Sequence, residues 1–518
     1  MPARTLAPAR FRSIALPLDV VAILLFGMLS VQYFVAATTL ARGAPFWMDE
    51  VLSVWTARLP DTRAIWSALV HGAEFSPPLY DLLLHALQTI GVTSALGLRL
   101  PSILAIFLAA IAAAVVVRRR AGVASAALAA GVMLSSGLFG YAVQARPYAL
   151  VTAVFAWAFV LFDRPAGGPN NGPADSPAEG PGNVPSARRL AALAVLLVIA
   201  IGLHFYALLL AGGLIVLELV RSSLERRAPD WRTLATIALA SSSLLLWWPI
   251  LAAARTYSGA DVAASAYYAR PTLVALVRTY ARLLGWLILP LGALLSAVVA
   301  LGDRRPLRSR LRITAMLLSA IPVGVWLFAL LVSHSYADRY ALAGVLGIAL
   351  FFGALVERLG RWSAPVSVLL LASFLVGNAY RAPGEIDKTD RLDALMTIAA
   401  APGPLPIVTG SGLRFFEFYE TARPSIRRRL RFLDIPDAPS TDPTNRHQLL
   451  RWMALEPGLP VEDAHAFLCA TPAFLLFAQP DGGGADALPG WLAGRAYFTT
   501  PPNDRASLTL IRSRPCNS

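Results

Sequence analysis

Apolar residues run in long uninterrupted stretches along the first three-quarters of the chain, separated by short polar gaps. Segments of about 20 residues match the thickness of a bilayer's hydrocarbon core when helical. The runs predict membrane-spanning helices near 15–40, 97–117, 122–143, 148–162, 190–204, 205–220, 233–251, 283–302, 313–332, 340–356 and 363–380. The stretch 190–220 reads either as two short helices or as one long tilted helix. The segment 78–92 (PLYDLLLHALQTIGV) is apolar but short and carries Asp81 and His85, which suits a helix lying at the interface. Residues 165–187 (PAGGPNNGPADSPAEGPGNVPSA) are rich in Pro, Gly, Asn and Ser and predict a disordered linker.

From 382 onward the pattern changes. β-like runs LPIVTG (405–410), RLRFLDI (429–435), PAFLLFAQ (472–479) and SLTLIRS (507–513) alternate with helix-like FFEFYETA (415–422) and NRHQLLRWMAL (445–455). The organisation predicted is a transmembrane module over 1–381 and a small α/β domain over 382–518. The VTGSG turn in that tail carries Gly410 and Gly412, but a lone pattern of this kind fits an ordinary strand-to-helix turn better than a phosphate loop.

Composition agrees with the pattern. Of 518 residues, 56% are hydrophobic and 15% charged, against roughly 25% charged in soluble domains. The net charge of +14 does not point to nucleic acid, because the arginines sit in the gaps between apolar runs. They cluster at Arg118, Arg119 and Arg120; at Arg164, Arg188 and Arg189; at Arg221, Arg226, Arg227 and Arg232; at 304–312; and at Arg358 and Arg361. With the N-terminus in the cytoplasm, every cluster falls on the cytoplasmic side, as the positive-inside rule requires. Eleven spans then place the tail outside the membrane. If 78–92 also spanned, the later clusters would all face outward. Two cysteines, Cys469 and Cys516, allow at most one bridge and no metal-binding pair of the CxxC type. The basic start MPARTLAPARFRS leads into an apolar run too long for a cleaved signal core, and is read as a retained first span.

This topology brings polar residues to one depth on one face. They are Asp49 and Glu50 after the first span; His71 and Glu74 in the loop 41–96; Gln144, Arg146 and Tyr148; His204 and Tyr206; Tyr257, Tyr267, Tyr268 and Arg270; and His334, Asp338, Arg339 and Tyr340. Charges at a membrane are expensive unless paired or used, so a shared depth argues for a polar cavity. Arginines suit a phosphate, carboxylates a base, and aromatic faces a sugar or a lipid groove. Each residue alone also has a structural reading: a helix cap for Asp49 and Glu50, snorkelling for Arg146 and Arg339, an interface belt for the tyrosines.

Ordered motifs sharpen the picture. WMDE opens the first external loop, followed by HGAEFSPPLYDLLLHALQTIG, LRLPSILA, YAVQARPYAL, LHFYALLL and DRYALAG. Over about residues 15–360 the chain resembles the GT-C glycosyltransferases that use polyprenyl-phosphate sugars, in the bacterial branch of protein mannosyltransferase, Rgt-type and ArnT-like enzymes. That resemblance implies a polytopic α-helical membrane protein of GT-C type, with interfacial helices in the first external loop and an external α/β domain. It implies inverting sugar transfer to a hydroxyl of a lipid, glycan or protein at the outer face of a bacterial inner membrane. Asp49 matches the family's base, Glu50 its acidic neighbour and Glu74 a second acid. Arg146, Arg339 and Tyr340 match contacts to the donor phosphate. His71, Tyr148, His204, Tyr206, Tyr268 and Arg270 are the remaining candidates for substrate contact. Ala145 stands where the family carries Glu. A polyprenyl-phosphate sugar, an acceptor and membrane lipids are the implied partners. A monophosphate donor needs no metal where arginines neutralise the leaving group, so no cofactor is required; a divalent metal, to which Asp49 and His71 would contribute, is the alternative. The alternatives are a lipid transporter or flippase, for which broken helices at mid-membrane and repeat symmetry are missing, and an inactive scaffold of the same fold.

Overall fold

The computed structural model describes residues 17–163, 186–263, 269–302, 310–384, 389–435, 443–456, 458–478, 488–493, 495–498 and 507–513. The predicted linker 165–187 lies almost wholly outside the described residues, as do Tyr267 and Tyr268.

All eleven predicted spans fall on helices. Among the described residues, seven helices are long and apolar enough to cross a membrane: Leu18–Gly43, Ala95–Arg118, Ala207–Leu224, Trp231–Thr256, Leu273–Leu301, Leu311–Ser333 and Gly344–Tyr380. The last is broken at Gly360, whose φ of +57° no side-chain-bearing residue adopts without strain. Val123–Ser135, Tyr148–Phe162 and Ala187–Leu203 are apolar helices below that length. The stretch 190–220 is two helices rather than one, because His204 takes an extended conformation (φ −161°, ψ 133°) that ends the first.

The bundle is apolar outside as well as inside. Along the first helix Ile23, Leu24, Met28, Val31 and Val35 are exposed while Ala22, Leu29, Tyr33 and Ala37 are buried. A soluble helix would carry polar residues on that outer stripe. Helix contacts inside rely on small residues, as expected where lipid is as apolar as the core. A Cβ built on Gly347 would lie 2.1 Å from the Ser319 nitrogen of the neighbouring helix, so only glycine fits that crossing.

Polar residues collect at the two ends. At one end Arg119 donates to the Val160 and Asp163 carbonyls, and Arg221 Nη2 donates to Asp163 Oδ1 (2.7 Å) and Thr314 Oγ1 (2.7 Å). This is the end of the arginine clusters. The candidate site lies at the other. There the loop 44–94 folds into helices Met48–Arg58, Thr62–Val70 and Leu79–Thr89. The last has 11 residues, too short to span a bilayer, and packs on Met48–Arg58 through His85 Nδ1 to the Ala57 carbonyl (2.9 Å) and Gln88 Nε2 to the Val54 carbonyl (3.3 Å).

The tail builds a six-stranded sheet from β1 (Ile407–Thr409), β2 (Leu430–Asp434), β3 (Val461–Asp463), β4 (Ala473–Ala478), β5 (Ala496–Phe498) and β6 (Ser507–Ser513). Its order is β3-β2-β1-β4-β6-β5; the first four strands are parallel, and β6 is antiparallel to both neighbours. Side chains alternate across it. Val408, Leu433, Phe474, Leu476 and Ile511 form one core with helix Ala464–Ala470. Ile407, Leu430, Phe432, Leu475 and Phe477 face the other way and belong to the same continuous core as the bundle. Trp55 joins the two. Its ring meets Phe416, Tyr419 and Trp452 edge-on at 5.3–6.0 Å, and its Nε1 donates to Glu420 at 2.8 Å. Arg451 and Trp452 donate to the carbonyls of Gly72 and Ala73. Cys469 is disulfide-bonded; the other cysteine of the sequence, Cys516, lies outside the described residues.

Candidate active site

The site forms around the first turn of helix Met48–Arg58, where Asp49 and Glu50 point in different directions. Glu50 is fully buried. Its Oε1 and Oε2 take Nε and Nη2 of Arg99 at 2.8 Å each, a bidentate pair. The Ala145 and Trp47 amides also donate to it, at 2.6 and 3.2 Å. Arg99 in turn holds the carbonyls of Ala41, Ala44 and Pro45 at 2.7–3.1 Å and lies over the Phe46 ring. Glu50 was expected beside Asp49 as a catalytic acid; with no exposed surface and this set of partners, it instead fixes the turn that presents Asp49. Arg99, to which no role was assigned from sequence, is its counterpart. The signal was there: an arginine within the apolar run 97–117 needs a partner.

Asp49 keeps about one-fifth of its side chain exposed, and its Oδ2 meets Nη1 of Arg339 at 3.1 Å. Arg339 comes from the short DRY turn Asp338–Tyr340. Its guanidinium lies 5.6–5.9 Å from the ring centres of Trp47, Tyr148 and Tyr340. Asp338 is turned away and takes Arg282 Nη1 at 2.8 Å. Tyr340 stacks on Tyr206 at 4.0 Å and 11°, and His204 lies 5.4 Å from Tyr340 and 5.3 Å from Tyr148. Tyr206 is held there by its hydroxyl, which donates to the Ser335 carbonyl at 3.0 Å. Tyr148, His204, Tyr206, Arg339 and Tyr340 thus line one narrow cavity, closed on its apolar side by Val151, Leu210 and Leu342.

Behind Asp49 lies a second buried layer. Arg146 donates from Nη1 to the Asp49 carbonyl (2.9 Å), to Ser53 Oγ (2.6 Å) and to Glu74, and Ser53 Oγ donates to Glu74 Oε1 at 3.1 Å. Arg146 Nη2 reaches the Tyr148 hydroxyl at 3.4 Å. Arg146 and Glu74 are only 6% and 3% exposed, so Glu74 faces Arg146 rather than solvent.

The other expected site residues fall elsewhere. His71 is exposed at the end of helix Thr62–Val70, where its Nδ1 meets the Ser67 carbonyl of the same helix at 2.7 Å. Arg270 is exposed in a link that the Tyr336 amide ties down through the Ala269 carbonyl (2.7 Å). Tyr268 lies outside the described residues.

No protein-family model matches the chain, and no curated protein matches it. Solved structures do. The apo structure of ArnT from Cupriavidus metallidurans aligns with a TM-score of 0.57 at 14% identity, covering 94% of this chain and 97% of that one. The structure of the same protein bound to undecaprenyl phosphate aligns over the same shares at a TM-score of 0.56 and 14% identity. An oligosaccharyltransferase of Archaeoglobus fulgidus reaches 0.42 at 11% identity, over 80% of this chain and 62% of that one, too low a score to carry an argument. The fold is the GT-C fold of ArnT over nearly the whole chain, in a multi-pass membrane protein.

Proposed function

We propose that the protein is an inverting glycosyltransferase that moves a sugar from a polyprenyl-phosphate donor to a hydroxyl acceptor. The reaction would take place at the outer face of a bacterial inner membrane. The observation that carries this reading is the pairing of Asp49 with Arg339 at 3.1 Å. A carboxylate and a guanidinium face each other, both partly exposed, beside an aromatic cavity in a fold shared with ArnT bound to undecaprenyl phosphate.

In this reading Asp49 takes the proton of the acceptor hydroxyl as that oxygen bonds to the anomeric carbon. The bond from that carbon to the phosphate oxygen breaks on the opposite face, and the polyprenyl phosphate leaves with the electron pair. Arg339 stabilises the charge that builds on the leaving oxygens. The donor phosphate competes with Asp49 for Arg339, so donor binding frees the base it needs. Arg146 lies one layer deeper and adds positive potential. Arginines neutralise a monophosphate leaving group without a metal. Tyr148, Tyr206 and Tyr340 offer ring faces to the sugar or to the first isoprene units. The acceptor in this reading is a lipid, a glycan or a protein, reaching the site from the side of the tail.

Purified wild type and Asp49→Asn, given a panel of polyprenyl-phosphate sugars and a membrane-lipid extract, test the assignment. Donor should be consumed by wild type and spared by the variant, at unchanged donor affinity. Equal turnover by both would remove Asp49 as the base. Donor binding without any consumption by wild type would remove the transferase reading itself.

A further inference from the structure

The charges of the site do not balance in pairs. Four carboxyls, on Asp49, Glu50, Glu74 and Asp81, gather with three guanidinium groups, on Arg99, Arg146 and Arg339. Arg99 answers Glu50, Arg339 answers Asp49 and Arg146 answers Glu74. Asp81 is left over. It is 1% exposed, and among the described residues neither of its oxygens accepts a hydrogen bond of good geometry, although Glu74 and Ser53 lie against it.

Among the described residues, the groups that act on Asp81 are Glu74, Arg146 and Ser53. On its own helix His85 is turned to the Ala57 carbonyl, and Asp49, Glu50 and Arg58 of Met48–Arg58 answer Arg339, Arg99 and Glu420. Helix Met48–Arg58 presents Ser53, and the loop before Asp81 presents Glu74. The link 144–147 presents Arg146, already engaged with Glu74. Helix Ala187–Leu203 meets this region at Gly202 against Leu79, with its arginines at the far end. Tyr80 beside it is buried, its hydroxyl turned toward Ser102 rather than Asp81.

Two carboxyls in contact in a buried place do not both stay ionised. Glu74 has a guanidinium and a hydroxyl to stabilise its charge, and Asp81 has neither to itself. Burial first, then the neighbouring Glu74 carboxylate, push the Asp81 carboxyl well above the usual carboxylate range, against the pull of Arg146. Asp81 also sits in the first turn of Leu79–Thr89, which favours an anion. That effect is about 0.3–1 kcal/mol, smaller than the desolvation of a fully buried carboxylate, which reaches about 3–5 pKa units.

We propose that Asp81 is held as the neutral acid against Glu74, the two carboxyls sharing one proton, and that this keeps the layer beneath the donor phosphate from turning anionic. With one proton shared, Arg146, Glu74 and Asp81 sum to zero. Without it they sum to −1, directly behind Asp49. Asp81 is then a positioning residue for charge, acting on the donor through Arg146. The second half of the proposal rests on the donor reading of the site.

Infrared difference spectroscopy of the full chain in detergent reads the proton directly. Wild type minus Asp81→Asn at neutral pH should show one protonated carboxyl band that vanishes at alkaline pH. Wild type minus Glu74→Gln should show the same band, because Asp81 would then ionise against Arg146. Absence of the band from both differences overturns the assignment, and a fold defect confined to one variant leaves the other to decide. The affinity for a polyprenyl phosphate, measured against pH, reads the consequence. One added negative charge behind the site repels the phosphate, and at an effective dielectric of about 20 two charges several ångströms apart interact strongly enough to weaken binding by roughly tenfold or more. Wild type should show that loss at alkaline pH, and Asp81→Asn should not; the phosphate's own titration is common to both. Equal pH profiles overturn the electrostatic role. If the band is present but neither protein binds a polyprenyl phosphate, the shared proton stands and the donor reading of the site falls.

Discussion

Replacing Arg99 by Met tests how the turn before Asp49 is held. The side chain is fully buried and makes five hydrogen bonds, two to Glu50 and three to the carbonyls of Ala41, Ala44 and Pro45. Methionine fills most of the volume, so packing loss is small. What remains is a buried Glu50 carboxylate that keeps the Ala145 and Trp47 amides and has lost its bidentate Arg99. Breaking a buried pair from one side costs about 3–5 kcal/mol, far above the ~0–1 kcal/mol of an exposed pair. The deficit should shrink toward acidic pH, because Glu50 escapes by taking a proton. It should also shrink in the double variant Arg99→Met, Glu50→Gln, which removes the stranded charge. Unfolding in detergent, followed by circular dichroism, measures all three proteins. A single-variant deficit below about 1 kcal/mol, or a double variant as poor as the sum of its parts, would refute the reasoning.

Arg339→Gln should lower turnover by about 100- to 1000-fold, the usual effect of losing one donor that stabilises transition-state charge, with folding unchanged because the residue is partly exposed; steady-state kinetics check it. Trp55→Ala should cost about 3–5 kcal/mol, as for other large buried aromatics, and should free the tail, read by faster limited proteolysis between 384 and 407. The pH sign for Asp81 follows from its raised folded-state value. Its contribution to stability is complete below the unfolded carboxylate value of about 3.9 and is lost as pH rises through the raised one, so wild type should lose more stability at alkaline pH than Asp81→Asn.

Hydropathy made the helices of the bundle legible, since a lipid solvent leaves little choice of residue over about 20 positions. The break at His204 was legible only as an alternative, because two apolar helices end to end read like one. In the tail, β1, β2, β4 and β6 were marked by apolar runs. The three-residue strands β3 and β5 were not: VED and AYF carry too little pattern to separate from a loop. At the site, the depth argument collected Asp49, Arg146, Tyr148, His204, Tyr206, Arg339 and Tyr340, because topology alone puts them at one end. It could not sort which acid each arginine answers. Asp49 and Glu50 are adjacent in sequence, yet one faces the cavity and the other the core, a division set by partners 49 and 290 residues away. Asp81 was seen only as a polar residue in a short apolar helix; its meaning depends on Glu74 already being taken.

The sheet face made by Ile407, Leu430, Phe432, Leu475 and Phe477 shares its core with the helices that carry the site. Modular exchange of the tail is therefore closed to this chain. A graft of residues 389–513 onto another bundle, or the same segment produced alone, would bring Phe416 and Trp452 into water without the indole of Trp55 that covers them. Under the proposed reaction, a change of acceptor preference made through the tail would have to be matched in helix Met48–Arg58, because the two share one core.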